Sequence, residues 1–96
     1  MAAMSNADKA KAARFLGARI YVEAGATANM NGSDLFAAIG AIDGVMESLP
    51  PALGNQAQTV AQNINSALPE PFKSTATTQQ KSFAVIMWCR VKHGDL

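Results

Sequence analysis

Helix-breaking residues divide this chain into four segments and limit what it can fold into. The breakers are a stretch rich in glycine and asparagine at 25–32, the pair Pro50-Pro51, and the pair Pro69 and Pro71. Because proline lacks an amide donor and disfavours helical backbone in the residue before it, each proline pair predicts the end of a helix. A length of 96 residues suits one domain. We therefore expect one all-α domain spanning 1–96.

The segments between these breakers carry helical signals. The predicted helices cover residues 6–24, 34–49, 53–68 and 77–93. In the first three, apolar residues recur at spacings of three and four, which is the core stripe of an amphipathic helix. Ser5 or Asn6 is the predicted N-cap of the first helix and Ser33 that of the second, because short polar side chains accept hydrogen bonds from the first helical amides. Short connections between about four short helices predict a small bundle with up-down topology.

The last segment is apolar around its whole circumference. Residues 83–89 read Phe-Ala-Val-Ile-Met-Trp-Cys, and no period of two favours a strand. We predict a helix, since one strand without partner strands would leave backbone groups unpaired. A bundle this small is not expected to cover such a helix on every side.

The first helix also has two apolar faces, with Leu16 and Ile20 on one and Phe15 and Val22 on the other. The apolar excess on the first and last helices predicts an interface with another protein or a second copy. Its predicted residues are Phe15, Tyr21, Val22, Val85, Ile86 and Trp88. Trp88 is singled out because tryptophan is enriched at binding hot spots; a core position is the equal alternative.

Charge is concentrated at the two ends of the chain. All eight Lys and Arg residues lie before residue 26 or after residue 72, and the stretch between holds four acids and no base. Since first and last helices are neighbours in an up-down bundle, a basic side is expected. It could meet the acidic helices of another copy, or nucleic-acid phosphates. The predicted phosphate contacts are Lys11, Arg14, Arg19, Lys81, Arg90 and Lys92. A solvated basic face is the leading interpretation.

The sequence shows no self-contained catalytic site. His93, the only histidine, lies near the end of the sequence, and with Cys89 it gives too few ligands for a tetrahedral metal site. Asp43 and Glu47 share one helix face, which we interpret as a solvated acidic face. We expect no enzyme activity, no cofactor and no bound metal. An enzyme would need active-site residues from a second chain.

The expected function is therefore self-association or docking to a protein partner. The alternative is a nucleic-acid-binding accessory protein, and the composition is also compatible with a bacterial or phage-encoded assembly or accessory protein. The longest apolar run has seven residues, against ~20 for a membrane span. No membrane association is expected, and without a secretory signal the predicted location is the cytoplasm.

Overall fold

The computed structural model describes residues 3–24, 30–46 and 56–96, and within these ranges the regular structure is helical, with no strand. The helices are α1 (Asn6–Ala24), α2 (Gly32–Met46), α3 (Ala57–Asn63), α4 (Phe72–Thr75) and α5 (Thr78–Lys92), with a 3₁₀ helix at Asn65–Ala67. The predicted all-α class is confirmed. Buried apolar side chains from all five α-helices form one core cluster.

The helix starts follow hydrogen-bonding side chains. Ser5 caps α1, because its Oγ accepts the amide of Asp8 at 3.1 Å. At α2 the Oδ1 of Asn31 accepts the amide of Asp34 at 2.9 Å, and the Asp34 carboxylate accepts the Asn31 amide at 3.1 Å. The prediction of Ser33 as the cap is wrong, because Ser33 lies inside the helix. Asn31 is the cap, since the side chains of Asn31 and Asp34 each accept the main-chain amide of the other.

The third segment differs most from the prediction. Instead of one helix over 53–68, α3 ends at Asn63 and a 3₁₀ helix follows it. Asparagine and serine dominate this stretch, and both have low helix propensity. A further short helix, α4, was not predicted; it begins at Phe72, whose side chain is fully buried. The predicted helical residues 47–49 and 53–55, and the pair Pro50-Pro51, lie outside the described residues.

The last helix occupies the centre of the bundle. A capping box between Thr77 and Gln80 starts α5, which then packs against α1, α2 and α3, while α1 also packs against α2. Helix α5 runs antiparallel to α1, since Lys11 contacts Leu96 and Glu23 contacts Gln80. The predicted proximity of first and last helices is confirmed.

Because three helices surround α5, its apolar circumference is covered within its own chain. Residues 83–89 are all buried except Ile86, which is half-buried. The expectation that a bundle of this size leaves such a helix uncovered is wrong. So is the argument that made Val85 and Trp88 interface residues, since Trp88 is 0% exposed and Val85 is buried with it. Both are core residues.

Candidate functional site: an apolar groove between α1 and α5

Helices α1 and α5 leave an open groove between them with a volume of about 580 Å³. Its apolar lining includes Phe15, Ala18 and Val22 from α1 and Phe83 and Met87 from α5. Val22 is 81% exposed and Phe15 is 40% exposed. Large apolar side chains that line a concave surface and remain in water are typical of a surface that binds another molecule.

Charged and amide side chains lie along the same groove. The Arg19 guanidinium lies 4.6 Å from the centre of the Phe83 ring, a cation–π contact that covers part of the groove wall. The Glu23 carboxylate accepts a hydrogen bond of 3.3 Å from the Gln80 side chain. Arg90 is exposed and lines the groove together with Leu96. The groove is therefore apolar in its walls and carries both signs of charge.

Apart from the core residues Val85 and Trp88, the predicted interface residues lie in three environments. Phe15 and Val22 line the groove. Tyr21 is exposed, but as the neighbour of Val22 it points about 100° away around α1. Ile86 is half-buried and packs against the core. Sequence reasoning missed the groove residues Phe83 and Met87, because their position becomes visible only once α5 is placed beside α1.

The six residues predicted to contact nucleic acid do not form one free basic surface. Arg14, Arg19 and Arg90 are exposed. Lys11 donates to the main-chain oxygen of Leu96, and Lys81 donates to the Asn65 side chain at 2.7 Å. The sixth residue, Lys92, has a buried side chain.

The prediction that Lys92 contacts phosphate is wrong, because its side chain is buried and its Nζ lies 3.3 Å from an Asp43 carboxylate oxygen. As part of an internal ion pair, it is not placed to contact phosphates. The Nζ also lies 5.8 Å from the centre of the Trp88 ring. Nucleic-acid binding by the exposed arginines stays a prediction.

Asp43 is the centre of a buried polar cluster. Its Oδ1 accepts hydrogen bonds from the Trp88 indole at 2.9 Å and from Lys92 Nζ at 3.3 Å, and its Oδ2 accepts the Met4 amide at 2.9 Å. The carboxylate thereby joins the segment before α1 to α2 and α5. The interpretation of Asp43 as part of a solvated acidic face is wrong, while Glu47 lies outside the described residues.

The surroundings of Asp43 favour its charged form. Burial by itself raises the pKa of this carboxyl, but the hydrogen bonds from Trp88, Met4 and Lys92 and the charge of Lys92 outweigh it, so the pKa lies below its ordinary value. The three hydrogen bonds that the Asp43 carboxylate accepts all come from groups of the same chain. The cluster therefore stabilises the structure and offers no accessible acid or base.

We expect stability to fall as the pH is lowered through about pH 4, because a depressed carboxyl pKa gives stability that is full above the unfolded-state pKa and is lost as Asp43 becomes protonated. Urea unfolding midpoints between about pH 6 and about pH 3 measure this. Asp43→Asn should flatten the curve. The pKa of Glu70 is also lowered, by hydrogen bonds from Ser74. Glu70→Gln is therefore the control that measures how much of the pH dependence comes from Glu70. An equally steep curve in Asp43→Asn would contradict this role.

Other candidate chemistry is sparse in the described ranges. They contain no group of three or more His, Cys, Asp or Glu side chains arranged to hold a metal ion. Cys89, the single cysteine of the sequence, is buried, and the Nε2 of His93 is buried with no hydrogen-bond partner in this part of the chain. No described helix combines the length and apolar character needed to cross a membrane. Comparisons with protein-family models, curated proteins and solved structures found no match.

Proposed function

We propose that this protein acts without catalysis, by associating with a second copy of itself through the groove between α1 and α5. The observation that carries the proposal is the exposure of Val22 and Phe15 in a groove whose other wall is formed by the buried side chains of Phe83 and Met87. Burying such side chains is favourable by about 25 cal/mol per Å² of apolar surface removed from water.

The composition supports a second copy as the occupant. Charged residues make up only 16% of the chain, so long-range repulsion between copies is weak. The groove itself carries Arg19 and Arg90 together with Glu23, and a surface with both signs can be complementary to itself. The low cysteine content, with Cys89 as the single thiol, is compatible with a place of action in the reducing cytoplasm.

Val22→Lys is the sharpest test of this association. The substitution places a charge on an exposed helical position, which the monomer tolerates, but in the dimer it removes apolar burial and adds a cation beside Arg19. We expect the dissociation constant to rise about 30-fold or more, because two copies of the change enter each dimer. Sedimentation equilibrium across a concentration series measures it.

Val45→Lys is the matched control. Val45 is 52% exposed and lies near the end of α2, as Val22 lies near the end of α1, but it is outside the described lining of the groove. It should leave the dissociation constant unchanged. A wild-type protein that stays monomeric at millimolar concentration would overturn the proposal, as would equal weakening by both variants.

A further inference from the structure

The charges of the groove are separated along its length, and this separation determines how two copies can pair. Arg19 lies beside Phe83 and Glu23 beside Gln80, while Lys11 contacts Leu96. Since α1 and α5 are antiparallel, Arg90 lies at the level of Phe15. One end of the groove therefore carries the Glu23 carboxylate and the other carries the Arg90 guanidinium.

We infer that two copies pair face to face about a two-fold axis that crosses the groove, so that Glu23 of each copy meets Arg90 of the other. This inference rests on the proposed self-association and specifies its geometry. Rotation about such an axis keeps α1 opposite α1 of the second copy and exchanges the two ends of the groove. Glu23 on α1 and Arg90 on α5 of the second copy then lie at the same end, and their side chains, which both line the groove, meet across it. Rotation about an axis along the groove leaves like ends together and brings no opposite charges into contact.

The apolar residues fit the same arrangement. The midpoint between Phe15 and Val22 falls between Ala18 and Arg19, so an antiparallel pairing centred there places Phe15 of one copy at the level of Val22 of the second. The small side chain of Ala18, which is exposed and lines the groove, permits close approach of the two α1 helices at this centre. The same centre brings Arg90 to the level of Glu23 of the second copy.

The side chains of Arg90 and Glu23 can form this ion pair without breaking another ion pair in the described part of the chain. Arg90 has no ion-pair partner among residues 3–24, 30–46 and 56–96, and Glu23 has one hydrogen bond, from the uncharged Gln80 side chain. Arg19 opposes the pairing, because its guanidinium lies near the axis and faces Arg19 of the second copy. The pairing thus makes a distinctive prediction: removing the Arg19 charge should tighten it.

A charge exchange tests the pairing. Arg90→Glu and Glu23→Arg should each raise the dissociation constant about tenfold, because each reverses two exposed ion pairs per dimer. An equimolar mixture of the two variants should form a heterodimer with about wild-type affinity, since one pair is then the wild-type Glu23–Arg90 pair and the other is restored with its signs exchanged. Sedimentation equilibrium, with one variant carrying a fluorescent label, measures homodimers and heterodimers separately.

Lys73→Glu is the matched control, since it makes the same charge change on α4, which does not line the groove. It should leave the dissociation constant within about twofold, while Arg19→Gln should lower it. If the wild type dimerises and Val22→Lys weakens it, but the mixture does not regain affinity, the antiparallel pairing is overturned and the association stands. A monomeric wild type overturns both.

Discussion

Replacing Asp43 by alanine is expected to lower the free energy of unfolding by about 3–5 kcal/mol, because it removes one partner of the buried ion pair with Lys92 and the acceptor of two further hydrogen bonds. Lys92 would lose the carboxylate oxygen that lies 3.3 Å from its Nζ. The Trp88 indole and the Met4 amide would also lose their acceptor. For a domain with a total stability of about 5–15 kcal/mol, this is a large fraction.

Urea unfolding followed by circular dichroism measures the loss. Asp43→Asn should cost less than Asp43→Ala, since the amide oxygen can still accept from Trp88 while only the charge opposite Lys92 is removed. Asp8→Ala, at an exposed position in the first turn of α1, is the matched control and should change stability by less than about 1 kcal/mol. Equal effects at Asp43 and Asp8 would show that the cluster contributes nothing beyond surface electrostatics.

Trp88→Ala is expected to destabilise the fold by about 3–5 kcal/mol, because it removes a large, fully buried side chain from a core that can collapse only partly around the cavity. The indole also donates to Asp43, so a buried acceptor loses a partner. Trp88→Phe keeps most of the volume and removes only this donor; we expect about 1–3 kcal/mol.

The matched control for Trp88→Ala is Tyr21→Ala, an aromatic truncation at an exposed position of α1. It should change the urea midpoint by the equivalent of about 0.5 kcal/mol or less. If Trp88→Ala instead leaves the midpoint unchanged and weakens association between copies, Trp88 belongs to an interface and its assignment to the core is wrong.

Local signals in the sequence determined where most of the helices lie. The bounds of α1 agree with the prediction for 6–24, and α5 lies within one residue of the prediction for 77–93. Both outcomes follow from information carried within a few residues: Ser5 and Thr77 cap the helices through their own side chains, and the apolar pattern has the helical period. The secondary structure after Asn63 was harder to predict, because residues of low helix propensity leave the backbone conformation to tertiary packing. The fully buried side chain of Phe72, at the start of α4, is an example of such packing.

The tertiary structure alone decided which apolar and charged side chains are exposed to solvent and which are buried. The apolar sequence of residues 83–89 does not show whether the helix is covered or exposed. Val85 and Trp88 are core residues only because α5 packs against three other helices. Likewise, the partners of Asp43 lie 39 to 49 residues away, so no local spacing predicts them. Composition and period determined the helices of this protein, whereas burial depends on neighbours distant in sequence, and those neighbours left Phe15 and Val22 facing the solvent.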